Sequence, residues 1–171
     1  MPVFTGSKFG FGQPNAATTP GAATPPSPGW EVSGGYISEY STPTADYVAH
    51  VFTQPGTFDV SLAPPTANIQ YAIIAGGGGG GGRAGGGGGA GGVNSNSPEY
   101  PAPKRMGAYP VSAAGGGDGS GHYKVKVGKG GMGGSAVMTN SNGWSGQAGD
   151  TSEFNYADNP NAIPSAGGGG G

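Results

Sequence analysis

The chain has no cysteine, one leucine (Leu62) and little charge. Each scarcity closes a route. Without cysteine there are no disulfides and no thiolate metal sites, and the redox compartment leaves no mark. Charged residues are 9% and the net charge is −2, which excludes disorder driven by charge repulsion. The seven Lys and Arg are scattered, so there is no electrostatic footprint for nucleic acid. No apolar run approaches the roughly 20 residues that span a bilayer, and no membrane insertion is expected. Residues Met1 to Gly12 lack the apolar stretch of a secretory signal. Helical periodicity is missing throughout. The hydrophobic share is 33%, much of it alanine, so a conventional core is small.

What the chain has instead is glycine. Of 171 residues, 41 are Gly and 16 are Pro. The tract Gly76 to Gly92 is broken only by Arg83, Ala84 and Ala90, and it follows an apolar run, Ile69 to Ala75. A second run, Gly167 to Gly171, ends the chain, and a weaker cluster, Gly128 to Gly134, follows another strand-like segment. There is no Gly-X-Y period, so collagen is excluded. A flexible linker has no need of an apolar strand feeding it. Polyglycine adopts polyproline II, about 3 residues per turn and about 3.1 Å rise, with no internal hydrogen bonds. Without side chains, several such helices pack closely and bond backbone to backbone, which pairs their N–H and C=O groups. Such a lattice has to offset the roughly 0.5–1 kcal/mol by which each glycine is costlier than alanine to order. The tract is therefore expected to be ordered, and Gly79→Val is expected to damage folding far more than Gly119→Val.

The remaining segments read as strands and loops. Tyr47–Thr53 is rich in β-branched and aromatic residues. Gln54–Thr57 fits a type II turn with Gly56 at positive φ. Phe58, Val60 and Leu62 share one face of the next strand, which Pro64 and Pro65 end. Residues 69–75 are apolar on both faces and are expected to be the most buried strand. Tyr109–Ala113 and Thr151–Phe154 read as short strands. In 122–127 Tyr123, Val125 and Val127 point in, and His122, Lys124 and Lys126 point out. The predicted fold is all-β: a small β-module, a glycine-rich module with polyproline-II-type glycine segments, an extended N-terminal arm, and no helix of note. The boundaries are 1–29 for the arm, 30–75 for the β-module and 76–171 for the glycine-rich module.

Catalytic motifs fail their context tests. G-x-G-x-x-G matches any polyglycine and no helix follows it; Gly128-Lys129 lacks the Ser or Thr and the spacing of a P-loop. Gly115–Gly121 matches a calcium-roll repeat loosely and once only. His50 and His122 stand alone in strands, no nucleophile elbow supports a triad, and the nine acids are dispersed. No catalytic residue, cofactor or metal is expected, and the chain is read as a non-enzyme. The candidate contact residues are aromatic. Phe4, Phe9 and Phe11 are proposed to dock the arm on another chain. Trp144, Tyr100 and Tyr109, in loops rich in Gly, Ser and Asn, are candidate receptor contacts.

The ordered series of elements resembles one family. It runs His50–Phe58 (HVFTQPGTF), Ile69–Gly80, Gly85–Val93, Tyr123–Gly131 (YKVKVGKGG), a loose match at Gly149–Phe154, and Gly167–Gly171. Over about residues 47–171 this is similar to the glycine-rich domain of phage virion proteins, found in tail fibres and adhesins, notably of marine phages. The loop from Asn94 to Gly121 departs from it, being longer and richer in proline. The chain also stops inside a glycine tract, as an incomplete C-terminus would. The resemblance implies a virion structural protein of a tail fibre, adhesin or other appendage. Other virion proteins, further copies of the chain (a trimer favoured) and a host surface receptor are the implied partners. An ice- or surface-binding glycine-rich protein and a host-glycan hydrolase are the alternatives.

Overall fold

A computed structural model describes residues 29–43, 45–82, 85–102, 105–135, 145–157 and 161–171. Eleven strands follow in chain order: β1 (Glu31–Ser33), β2 (Tyr36–Ser41), β3 (Asp46–Val51), β4 (Gly56–Leu62), β5 (Asn68–Ile69), β6 (Ala72–Ile74), β7 (Val93–Ser95), β8 (Tyr109–Pro110), β9 (His122–Lys126), β10 (Ser152–Phe154) and β11 (Ile163–Ser165). The described residues contain no α-helix, so the chain is all-β as its periodicity indicates.

One antiparallel sheet of five strands organises the molecule, in the order β1-β4-β9-β10-β11. Three two-stranded pairs accompany it: β2-β3, β5-β8 and β6-β7. Strands β4 and β9 pair directly, Phe58 opposite Tyr123. Strands from both sides of residue 75 thus share one sheet and one core. Tyr123 and Val125 are buried and His122 is exposed, the alternation read from 122–127.

The core is aromatic because the chain has so little leucine. Phe58, Val60, Tyr123, Val125, Phe154 and Ile163 meet there with Ala67 and Val111. Phe154 lies parallel to Tyr123, with centroids 5.6 Å apart, edge-on to Tyr109 at 5.3 Å and tilted against Phe58 at 6.2 Å. Aromatic rings with offset or edge-on neighbours add about 0.5–1.5 kcal/mol per pair beyond their area. The buried polar end of Tyr123 is paired: its hydroxyl accepts from Ser112 N and donates to Ser112 O.

Two local expectations are corrected. Gly56 is not at positive φ; it opens β4 opposite Val125, so no type II turn forms at 54–57. Segment 69–75 is not one buried strand either. It breaks at residues 70–71 into β5 and β6, and Ile74 is 65% exposed. The break is held by Asn96, whose Oδ1 accepts from Tyr71 N and whose Nδ2 donates to Ile69 O. One side-chain amide there replaces a strand's ladder bonds, and alternation of apolar residues gives no hint of it.

Candidate functional site

Below the sheet the glycine tracts form a bundle of five extended segments. Segment I is 75–82, II is 85–92, III is 127–135, IV is 145–151 and V is 166–171. Segments I, III and V leave β6, β9 and β11 and run away from the sheet; II and IV return to β7 and β10. The bonding repeats every third residue. Ala75, Gly78 and Gly81 donate to Gly92, Gly89 and Gly86 of segment II, while Gly76 and Gly79 donate to Asp150 and Gln147 of segment IV. The carbonyls of Gly77 and Gly80 accept from Gly131 and Gly134 of segment III, and those of Gly76 and Gly79 accept from Gly168 and Gly171 of segment V. A period of three residues is the turn of polyproline II. Segment I, pure glycine from Gly76 to Gly82, is the centre and bonds to all four others.

The outer contacts complete two layers. Segments III, I and II form one; IV and V form the other. Gln147 and Asp150 donate to Met132 and Lys129, joining IV to III. Gly146 and Gly149 donate to Gly171 and Gly168, joining IV to V, and Gly89 and Gly92 donate to Gly169 and Ala166, joining II to V.

Why glycine is needed follows from the spacing. A Cβ on Gly76 would lie 2.0 Å from Lys129 O, on Gly79 2.1 Å from Met132 O, on Gly78 1.9 Å from Gly169 O, and on Gly146 1.8 Å from Gly79 O. No side chain fits at those distances. The exceptions obey the same period. Lys129, Met132 and Ser135 stand three apart on the outside of segment III, with Met132 67% exposed. Ala90, Gln147, Asp150 and Ala166 are exposed as well. The spacing of Lys129 and Met132 within Gly128–Gly134 was thus a visible sign of threefold geometry that reading the cluster as merely glycine-rich missed.

Not every glycine is required. A Cβ on Gly169 or Gly87 would have no described atom within 4 Å. Gly119, expected to be a tolerant loop position, has a φ of +69°, where a β-branched residue is strained. Gly169 is therefore the proper reference for Gly79.

Ser152 ties the bundle to the sheet. It is buried in β10, accepts from Gly128 N at the start of segment III, and donates to Ile74 O just before segment I. Ser152→Ala leaves both groups unpaired, each at about 1–3 kcal/mol when buried. The expected result is a melting temperature several degrees lower, with Gly128 losing amide protection first; hydrogen exchange read by NMR checks both.

The aromatic candidates part ways. Tyr109 is half-buried in the core cluster, its hydroxyl donating to Asn161 O and accepting from Asn155 Nδ2, so its ring serves packing. Tyr100 is half-buried beside β7, with its hydroxyl 3.4 Å from Val93 O, and the Arg105 guanidinium donates to its carbonyl. Phe4, Phe9, Phe11 and Trp144 lie outside the described residues. The structure thus brings Tyr100 and Tyr109 into the fold and joins neither to a common site. Among the described residues no group of three or more His, Asp or Glu side chains is placed to hold a metal. Three ionic contacts involve the sheet: Lys126 with Glu153, and His122 with Asp118 and, at 3.8 Å, with Asp59. The hydrogen bond from Lys126 holds the Glu153 carboxyl below the ordinary range, and the one from His122 does the same for Asp118. No helix among the described residues is long and apolar enough to cross a membrane.

The glycine-rich domain family matches residues 53–171, from the end of the β2-β3 hairpin through the whole bundle. The chain belongs to that family. No curated protein and no solved structure matches it.

Proposed function

We propose that this chain is a virion structural protein, a component of a phage tail fibre, adhesin or other appendage. Its N-terminal region anchors it, and its glycine bundle is presented for host contact or assembly. The observation that supports this reading most is the bundle itself: side-chain-poor glycine segments packed closely and held by backbone bonds. At its end away from the sheet, Gly82, Ser135, Gly146 and Gly171 come together. Loops carried by a regular scaffold are where binding residues are commonly found. Trp144 directly precedes Ser145 of segment IV in sequence and is the proposed host contact. The partners are other virion proteins, further copies of the chain and a host surface receptor.

The test is the particle with which the protein purifies. Full-length chain is expected to co-sediment with phage particles, and deletion of residues 2–28 is expected to abolish its incorporation. Normal incorporation after the deletion would refute the anchoring role, and absence from particles would refute the assignment.

A second reading has one observation in its favour. The outer face of segments III, I and II is formed by Gly130, Gly133, Gly77, Gly80, Gly87 and Ala90, and a Cβ at any of these glycines would meet at most ordinary contacts. So smooth a face suits a flat solid such as ice. Thermal hysteresis and ice recrystallisation assays separate the two readings, since a virion component is expected to be inactive in both.

A further inference from the structure

The hairpin β2-β3 leaves more large apolar side chains exposed than any other named pair: Tyr36, Ile37 and Tyr40 on β2, and Tyr47, Val48 and Val51 on β3. Its register sets Tyr36 opposite Val51, Ser38 opposite Ala49 and Tyr40 opposite Tyr47 on one face. Ile37, Glu39 and Ser41 lie opposite His50, Val48 and Asp46 on the other. The first face carries no charge, yet Tyr36 is 61% and Val51 47% exposed. Tyr40 and Tyr47 are stacked, with ring centroids 4.9 Å apart, and both remain open to solvent. The charged face is rooted to the body at His50, whose Nδ1 donates to Gly34 O at 2.7 Å and whose ring meets Phe58 edge-on. A two-stranded hairpin needs a further packing partner to be stable in water. At its root a cavity of about 450 Å³ is lined by Tyr36, Val51, Phe52, Pro55, Gly35 and Gly56.

We infer that the uncharged face is covered by residues 1–28 of the same chain, with Phe4, Phe9 and Phe11 on the tyrosine stripe and one of these rings in the root cavity. Three arguments select this occupant. The first is reach: the segment ends at Pro28, only Gly29 and Trp30 separate it from β1, and β1 leads through Gly34 and Gly35 into β2. Residues 12–28 alone can span about 50 Å as polyproline II, against about 20 Å for a strand of six residues. The second is spacing: Phe9 and Phe11 are two apart, so on an extended chain they project to one side at the interval of alternate residues on β2. The third is tethering: a segment joined to its acceptor by a short linker has an effective concentration in the millimolar range. The only charge in residues 1–28 is Lys8, and the face is neutral, so nothing electrostatic opposes the contact. This inference does not rest on the virion assignment. It relocates the expected docking of the phenylalanines from another chain to their own, and it makes the N-terminal attachment element a composite of segment and hairpin.

Tyrosine nitration of the full chain, mapped by peptide mass, tests this. Tyr156 is exposed outside the hairpin and serves as internal reference. Relative to Tyr156, nitration of Tyr36, Tyr40 and Tyr47 is expected to be roughly tenfold slower in the native chain than in the variant Phe4→Ser/Phe9→Ser/Phe11→Ser. Protection is expected not to change on dilution. Equal ratios in the two proteins would overturn the inference, and so would protection that is lost on dilution, since a second copy would then be the occupant. If the triple variant cannot be produced, Val51→Ser reads the contact from the other side, with faster nitration of Tyr36 and Tyr40 expected and an unchanged rate contradicting it.

Discussion

Gly79→Ala is expected to lower the melting temperature by about 10 °C or more, while Gly169→Ala leaves it unchanged or slightly raised. The two glycines belong to the same bundle and differ only in what surrounds them. At Gly79 the new methyl would sit 2.1 Å from Met132 O and 2.4 Å from Met132 C. Segment III has to move away, and the bonds from Gly79 N to Gln147 O, Gly134 N to Gly80 O and Gly171 N to Gly79 O are in its path. Each buried group left unpaired costs about 1–3 kcal/mol, so losing two or three consumes much of a typical net stability of about 5–15 kcal/mol. Alanine also stabilises by about 0.4–1 kcal/mol through the unfolded chain. At Gly79 this gain is overwhelmed. At Gly169, with open space around the Cβ, it is the whole effect. Thermal unfolding of both variants decides the matter, and equal losses would mean that close approach is not what glycine provides.

Phe154→Ala is expected to cost about 3–5 kcal/mol and to melt sheet and bundle together. Phe154 is the ring that touches Phe58, Tyr109 and Tyr123, so its removal opens a cavity at the centre of the core. The bundle cannot outlast the sheet, because segments III and V begin where β9 and β11 end, and segment IV runs into β10. Calorimetry should show one transition at a lower temperature, with tyrosine absorbance and glycine amide exchange changing at the same midpoint. A surviving second transition from the glycine segments would show that they hold themselves together.

The glycine tract and the strands after which it recurs were legible in the sequence, because polyglycine after an apolar strand has few physical uses. So was the inward set Tyr123, Val125 and Val127, since alternation depends only on the strand period. The shared sheet was not legible. Pairing of β4 with β9 joins residues more than sixty positions apart, and no local pattern records it. The break at residues 70–71 escaped for a related reason, because Asn96 supplies the substitute bonds from a distant loop. Tyr109 looked like a loop aromatic because its neighbours are Gly, Ala and Pro. Its burial is decided by Tyr123 and Phe154, which arrive later in the chain.

The glycine segments form a hydrogen-bonded lattice with a threefold repeat. Amide hydrogen exchange along Ala75–Gly81, resolved by NMR, tests it most directly. Ala75, Gly76, Gly78 and Gly79 donate to neighbouring segments, whereas the amides of Gly77 and Gly80 have no partner among the described residues. The expected pattern is slow exchange at 75, 76, 78 and 79 and fast exchange at 77 and 80. Uniformly fast exchange would mean a flexible linker, and protection at every second residue would mean a β-ladder; either would contradict the lattice.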